Sequence, residues 1–160
     1  METQSATRRR ELEALNRDEL EKYQLGRLNR LLTEILPHNS FYAEKLAHCA
    51  PQLESLTQLR ELPLTEKDEL VSGEGPLTLP NNLTWPVERY VRFHQTSGTR
   101  GRPLSVLDTA EDWRWWVETW QYVLDAADIT AQDRVMMAFS FGPFIGFWSA
   151  HDAVLERGAL

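Results

Sequence analysis

The sequence predicts an α/β fold in which a helical N-terminal segment, residues 1–86, leads into the first part of an α/β domain, residues 87–160. Three observations carry this. Leucines recur at helical spacing before residue 37, and a stretch rich in Gly, Pro and Asn follows at 72–86. After it, patterns come in the order strand, loop, strand, helix, strand, helix, which suits helices layered on a sheet with right-handed crossovers.

From Glu11 to Leu36, the residues Leu12, Leu15, Leu20, Leu25, Leu28, Leu32 and Leu36 fall mostly three to five apart with charges between them. That is the signature of one amphipathic helix. Gly26 weakens its middle, and Pro37 ends it because the residue before a proline avoids the helical region. Ser40, with Glu44 close behind, opens a short helix carrying Phe41, Tyr42 and Leu46. Residues 62–70 read as a turn at Pro63, a cap at Thr65 and a helical turn, since Thr65 and Asp68 have capping spacing. Gly73, Gly75, Pro76, Pro80, Asn81, Asn82 and Pro86 make 72–86 a surface loop.

Residues 87–95, with Tyr90, Val91 and Phe93 among polar neighbours, suit a strand, and Leu104, Val106 and Leu107 suit a second. Thr109 and Asp112 have capping-box spacing. They precede a helix whose Trp113, Trp116, Val117, Trp120, Val123, Leu124 and Ala127 form a three-and-four apolar stripe. Residues 135–139 read as a buried strand, 141–144 as a turn, and 145–157 as an amphipathic helix with Gly158 at its C-cap. A sheet of two or three strands covered by helices leaves an edge and a face open, so the expectation is the front part of a longer protein.

Composition narrows the partners. The 160 residues carry 17 Lys and Arg against 24 Asp and Glu, a formal charge of −7. An acidic surface is a poor match for nucleic acid or anionic lipid. The 42% apolar content and six Trp suffice for a core, which excludes wholesale disorder. The most apolar stretch, 135–150, is interrupted by Gly142, Pro143 and Gly146 and falls short of the roughly 20 residues that cross a bilayer. Residues 1–10 lack an apolar leader core, and Arg8, Arg9 and Arg10 are followed by Glu11 and Glu13, unlike a secretory or transit peptide. A single cysteine, Cys49, allows no internal disulfide and fits a reducing compartment. The expected address is the cytoplasm, without a membrane.

The chemistry concentrates in Thr96-Ser97-Gly98-Thr99-Arg100-Gly101-Arg102-Pro103. Two glycines let the backbone bend tightly and aim successive N–H groups at one spot. Thr96, Ser97 and Thr99 add hydroxyls, and Arg100 and Arg102 add charge suited to phosphate oxygens. No Gly-Lys-Ser/Thr closes the run, so it is not a Walker A loop. Composition alone also allows a plain polar hairpin turn.

Preceded by a strand and "FHQ", this run resembles the Ser/Thr-Ser-Gly-Thr-Thr-Gly-x-Pro phosphate loop of adenylate-forming acyl-CoA ligases, and most closely that of the phenylacetate–CoA ligase family. "SFYAEKL" (40–46), "LPLTEKDEL" (62–70) and "FSFGPFIGFWSAHDAVLERGA" (139–159) agree with that family in the same order. The resemblance runs from about residue 25 onward. It implies the large domain of the adenylate-forming enzymes, begun here and incomplete at residue 160. It also implies a two-step reaction. ATP, with Mg²⁺, and a carboxylic acid give an acyl-adenylate and pyrophosphate, and the thiol of coenzyme A then takes the acyl group. Matched position by position, Thr96, Ser97, Gly98, Thr99 and Gly101 bind the ATP phosphates, while Arg100 replaces the family's second Thr and brings a guanidinium. Phe139, Phe141, Phe144 and Gly146 match the region lining the acid pocket, which suggests an aromatic acid such as phenylacetate. Farther along that helix the chain carries Phe147, Trp148, Asp152 and Ala153 where the family is rich in glycine. The family's catalytic lysine is expected beyond residue 160, so the 160 residues alone are expected to bind ATP weakly or not at all, without turnover.

The other residues read as structural. His94 and His151 stand alone in sequence, and no His/Cys/Asp cluster has zinc spacing, so no protein-built metal site is expected. Glu66, Asp68 and Glu69 form a solvated face, the Trp stripe is core, and Cys49 is inert. The expected partners are ATP, coenzyme A and a small carboxylic acid, with a homodimer left open for the full-length protein. Two alternatives stand beside the ligase: a non-catalytic remnant or interaction module, and adenylation with a carrier-protein thiol as acceptor.

Overall fold

The computed structural model describes residues 5–71, 73, 78–98, 102–139 and 142–160. The chain forms two compact units, Glu11–Val87 and, separately, Met1–Arg10 with Glu88–Leu160.

The helix expected over 11–36 is two helices, α1 (Ala6–Glu13) and α2 (Arg17–Ile35). Asn16 breaks them. Its backbone is extended, its side chain accepts from Glu19 N at 3.1 Å, and Glu19 Oε2 accepts from Asn16 N at 3.0 Å. This reciprocal cap starts a fresh helix inside the leucine pattern. α2 tolerates Gly26 and ends with the Leu36 amide donating to Leu32 O, just before Pro37. Asn29 then holds Leu53 from both sides, donating to its carbonyl and accepting from its amide at 2.8 Å each.

The cap of α3 (Ser40–Lys45) is Asn39 rather than Ser40, because the Asn39 oxygen accepts from Tyr42 N at 3.0 Å. The Asn39 amide group also donates to Asn82 O and Thr84 Oγ1, both at 2.9 Å. A 3-10 turn at Leu56–Glu61, not anticipated from sequence, precedes α4 (Lys67–Leu70). The cap of α4 is Glu66, not Thr65: Glu69 Oε2 accepts from Glu66 N at 2.6 Å, so the carboxylate reaches the exposed helix end one residue later than expected. Ser72 and residues 74–77 of the expected loop lie outside the described residues. Its described part holds one antiparallel bridge, Val71 to Pro80.

In the second unit, residues 87–89 form a 3-10 turn, and β1 (Tyr90–Gln95) pairs antiparallel with β2 (Ser105–Thr109). A bulge falls between Tyr90 and Arg92. α5 (Ala110–Ala126) starts at the expected box, with Thr109 Oγ1 accepting from Asp112 N at 3.2 Å and Asp112 Oδ2 accepting from Thr109 N at 2.9 Å. Its stripe buries Trp113 and Leu124, but Val123 lies 51% exposed on the outer side. α6 (Ile145–Arg157) ends at Gly158 in the left-handed region, φ 80°, where a Cβ would crowd Ala131 at 3.3 Å. The core joins Leu124, Ala153, Val154 and Ala159 with Val117, Trp120, Ile129, Val135 and Met137 around them.

The strand expected at 135–139 is a correction. Residues 133–138 form neither helix nor strand; Val135 and Met137 pack against the core, Met136 is 87% exposed, and the stretch joins no ladder of the two-stranded sheet. Among the described residues, their strand-like bonds run to Leu160: Leu160 N donates to Asp133 O at 3.1 Å and Val135 N donates to Leu160 O at 2.6 Å. That is the bond pattern of a parallel pair, without neighbours to extend it. The crossover layer expected from sequence is therefore an antiparallel hairpin and one parallel contact among the described residues. No helix among them is long and apolar enough to cross a membrane.

Asn39 is 2% exposed and satisfies three groups. Asn39→Ala is expected to destabilise the Glu11–Val87 unit by about 2 kcal/mol, with Asn39→Asp losing less because it keeps the cap acceptor; urea denaturation measures both.

Candidate active site

The site begins where β1 stops. Thr96 N donates to Leu104 O at 3.0 Å, and Leu104 N donates to Thr96 Oγ1 at 2.9 Å. These two bonds pinch the expected phosphate loop at its base, and the Thr96 hydroxyl keeps its own hydrogen for donation. Ser97 is exposed, and Gly98 turns the chain with φ +67°. Only glycine takes that conformation without strain. Thr99, Arg100 and Gly101 lie outside the described residues.

The second component is aromatic. Phe139 stacks on Phe147 with centroids 4.4 Å apart and planes at 21°, and Phe144 meets Phe147 edge-on at 5.8 Å. Phe147 is therefore the hub of the trio, although its size had set it apart from the expected pocket residues. The signal was present in sequence, because Phe144 and Phe147 lie three apart at the start of a helix and share a face. Phe139 and Phe144 are exposed, and a Cβ at Gly146 would meet no described atom within 4 Å, so the surface is open there. Phe141 lies outside the described residues. Trp148 braces the turn by donating from Nε1 to Gly142 O at 2.7 Å.

A carboxylate ties the elements beneath. Asp152 on α6 accepts from Trp113 Nε1 of α5 at 2.9 Å and from Arg92 of β1 at 3.1 Å, and it bonds His151 Nδ1 at 3.0 Å. Arg92 also lies over the Trp113 ring, 4.9 Å from its centroid, and His94 stacks on the same ring at 5.3 Å. Burial pushes the Asp152 carboxyl up, but the bonds from His151, Trp113 and Arg92, with the Arg92 charge, outweigh it and hold the group below the usual carboxylate range. Sequence reading took Trp113 as plain core and His151 as solitary. The tie joins residues up to 60 positions apart, so no local pattern announces it.

One bond brings the components together. Gln95 N donates to Pro143 O at 2.8 Å, so the loop stem abuts the turn that carries Phe144. The nearby cleft is different in character. It is lined by Arg92 and Arg114 but also by Glu118, Asp152 and Glu156, an excess of carboxylates that disfavours phosphate. Among the described residues no group of three His, Cys, Asp or Glu side chains is gathered to hold a metal.

No family model matches the chain. Phenylacetate–coenzyme A ligase of Pseudomonas putida is 30% identical over 143 residues, covering 88% of this chain and 32% of that protein. The enzyme of the same name from Thermus thermophilus is 31% identical over 151 residues, covering 92% and 33%. By sequence, about nine-tenths of the chain is similar to phenylacetate–CoA ligases. The chain spans about a third of the length of the curated proteins it matches. Its mixed helix and strand architecture resembles that of 2-hydroxyisobutyryl-CoA ligase in complex with 2-HIB-AMP and CoA, with a TM-score of 0.79 and 27% identity over 91% of this chain and 31% of that one. The same ligase in its postadenylation state with 2-HIB-AMP gives a TM-score of 0.78 at 24% identity, again over 91% and 31%, a likeness of fold.

Asp152 is depressed, so its stabilising contribution is present above the ordinary carboxylate value, about 3.9, and is lost as pH falls through its lower folded-state value. Asp152→Asn is expected to cost about 1–2 kcal/mol at neutral pH. The wild-type and variant stabilities should converge in acid, which urea denaturation at a series of pH values measures.

Proposed function

We propose that a protein carrying this chain activates a carboxylic acid with ATP, releasing pyrophosphate, and passes the acyl group from the adenylate to the thiol of coenzyme A. The observation that supports this reading is the bond from Gln95 to Pro143, which sets an anion-binding bend beside an open aromatic surface. A carboxylate is a poor electrophile. Adenylation gives it a leaving group, and donors fixed around the phosphates stabilise the charge that moves onto them.

The roles follow the geometry and the family match. Thr96, Ser97 and Gly98 hold phosphate oxygens, with Thr99, Arg100 and Gly101 completing the loop. The bend at Gly98 and the stapled stem fit such a wrap. Phe147, with Phe139 and Phe144, offers an apolar aromatic surface to an aromatic acid of the phenylacetate kind, the family match adds Phe141, and Gly146 leaves room for the acid. Mg²⁺ enters on the phosphates of ATP. The names of the relatives support the acid and the acceptor, and the 2-HIB-AMP and CoA complexes of the structural neighbour support the adenylate route.

The test is a chimera in which this chain replaces the matching third of the Pseudomonas putida ligase. Acid-dependent pyrophosphate release with ATP is expected, strongest with aryl acetic acids, with acyl-CoA formed when coenzyme A is added. Release without acyl-CoA would point to another thiol acceptor. A folded chimera that releases none would overturn the reading, and so would full acyl-CoA synthesis by the 160 residues alone.

Within the chimera, Gly98→Ala is expected to raise KM for ATP about tenfold, because the left-handed backbone costs an alanine roughly 1–2 kcal/mol. Phe147→Ala should raise KM for phenylacetate by a similar order while leaving KM for ATP unchanged, a split that steady-state kinetics reads directly.

A further inference from the structure

Behind the loop stem lies a buried polar pair that the reaction above leaves unused. His94 of β1 is 4% exposed and Asp108 of β2 is 5% exposed. His94 Nε2 stands 3.7 Å from Asp108 Oδ2, and neither imidazole nitrogen nor that oxygen has a well-formed hydrogen bond among the described residues. Buried polar atoms are ordinarily paired, so three orphans at one place need an explanation.

Counting donors supplies it. The imidazole faces two acceptors, the Asp108 carboxylate and the Pro143 carbonyl, but a neutral ring has one N–H to give. One more proton satisfies both. Pro143 is also the acceptor of the Gln95 amide, so a ring bonded to it reinforces the joint between loop stem and aromatic turn.

The surrounding groups set when that proton arrives. Burial, then the Arg92 charge, pushes His94 below the ordinary imidazole value, against a smaller opposing pull from the Pro143 carbonyl. Burial, then the Asp112 charge, pushes Asp108 above the ordinary carboxylate value, opposed by a hydrogen bond from Trp116. Trp113 covers the ring and brings no charge of its own. The two groups are moved toward each other and stand 3.7 Å apart, so the pair titrates as a unit.

We propose that His94 and Asp108 take up one shared proton as pH falls, and that this proton fastens the stem of the Thr96 loop to the Pro143–Phe144 turn. His94 is thereby a positioning residue for the loop. The functional consequence rests on the reading that the loop binds nucleotide phosphates. The shared proton itself does not.

The test uses the 160-residue chain and Asp108→Asn, whose amide offers the ring a hydrogen at every pH. Nitrogen NMR of the His94 ring, read from about pH 8 to about pH 4, is expected to show one joint step in the wild type. With it the Thr96 and Phe144 amides should shift, and the protection of the Gln95 amide against hydrogen exchange should rise about tenfold, roughly one added hydrogen bond. Asp108→Asn should hold the protected state throughout. In the chimera described above, the ratio of ATP affinities, variant to wild type, cancels the titration of ATP itself and should approach one in acid and grow to about tenfold at high pH. If Asp108→Asn fails to fold, His94→Gln, which donates without titrating, is expected to give the same flat profile.

A His94 step that leaves the Thr96, Phe144 and Gln95 amides unmoved would overturn the proposal, as would an affinity ratio constant with pH. If ATP binds neither chimera, the phosphate reading fails, and the amide shifts and protection still decide the shared proton.

Discussion

The carboxylate of Asp152 is where β1, α5 and α6 meet. It takes the Trp113 indole N–H, the Arg92 guanidinium and the His151 ring nitrogen at 2.9, 3.1 and 3.0 Å. A two-stranded hairpin is marginal by itself and needs a packed face to hold its shape. Trp113 supplies that face, with His94 and Arg92 lying on its ring. Because the same carboxylate anchors α6, the aromatic residues at the start of that helix are registered against the hairpin, and the loop leaving β1 is registered with them.

A second network closes the far side of the same unit. Asp125 receives Arg9 from α1 and Arg157 from α6, each at 2.6 Å, and Arg157 also reaches Gln121 and the Ile129 carbonyl. The hydrogen bond from Arg9, reinforced by Arg157 and both charges, outweighs burial and keeps the Asp125 carboxyl below its usual range. Both ties are charge-assisted and partly buried, so removing one partner leaves an unpaired charge rather than a neutral gap. The division of labour is plain: Asp125 holds the helices to one another, and Asp152 holds them to the strands that carry the loop.

Much of this was legible in sequence, and the failures share a cause. The Thr109–Asp112 box, the Trp113–Leu124 stripe and the Gly158 cap are local patterns, and the structure has them at those residues. Asn16 and Glu66 were passed over because leucine spacing and a Thr-x-x-Asp match compete with caps that differ from them by a few residues. The stretch 135–139 has a strand's composition, yet a ladder needs a neighbour, and among the described residues Leu160 alone bonds to it in that way. Gly98 was legible as a bend because only glycine suits it. Phe147 is legible only through its helical spacing from Phe144, and the His94–Asp108 pair is not legible, since its meaning lies in contacts between β1, β2 and the turn before α6, far apart in the chain.

The account stands on the loop stem and the aromatic turn forming a single site. Titrating ATP and phenylacetate together into the isotope-labelled chimera, and following individual resonances, tests this most directly. ATP should move the Ser97 and Gly98 amides, phenylacetate should move the Phe147 ring, and each should strengthen the response to the other. Shifts that map to the carboxylate-lined cleft of Glu118 and Glu156 instead, or two ligands that ignore each other, would contradict it.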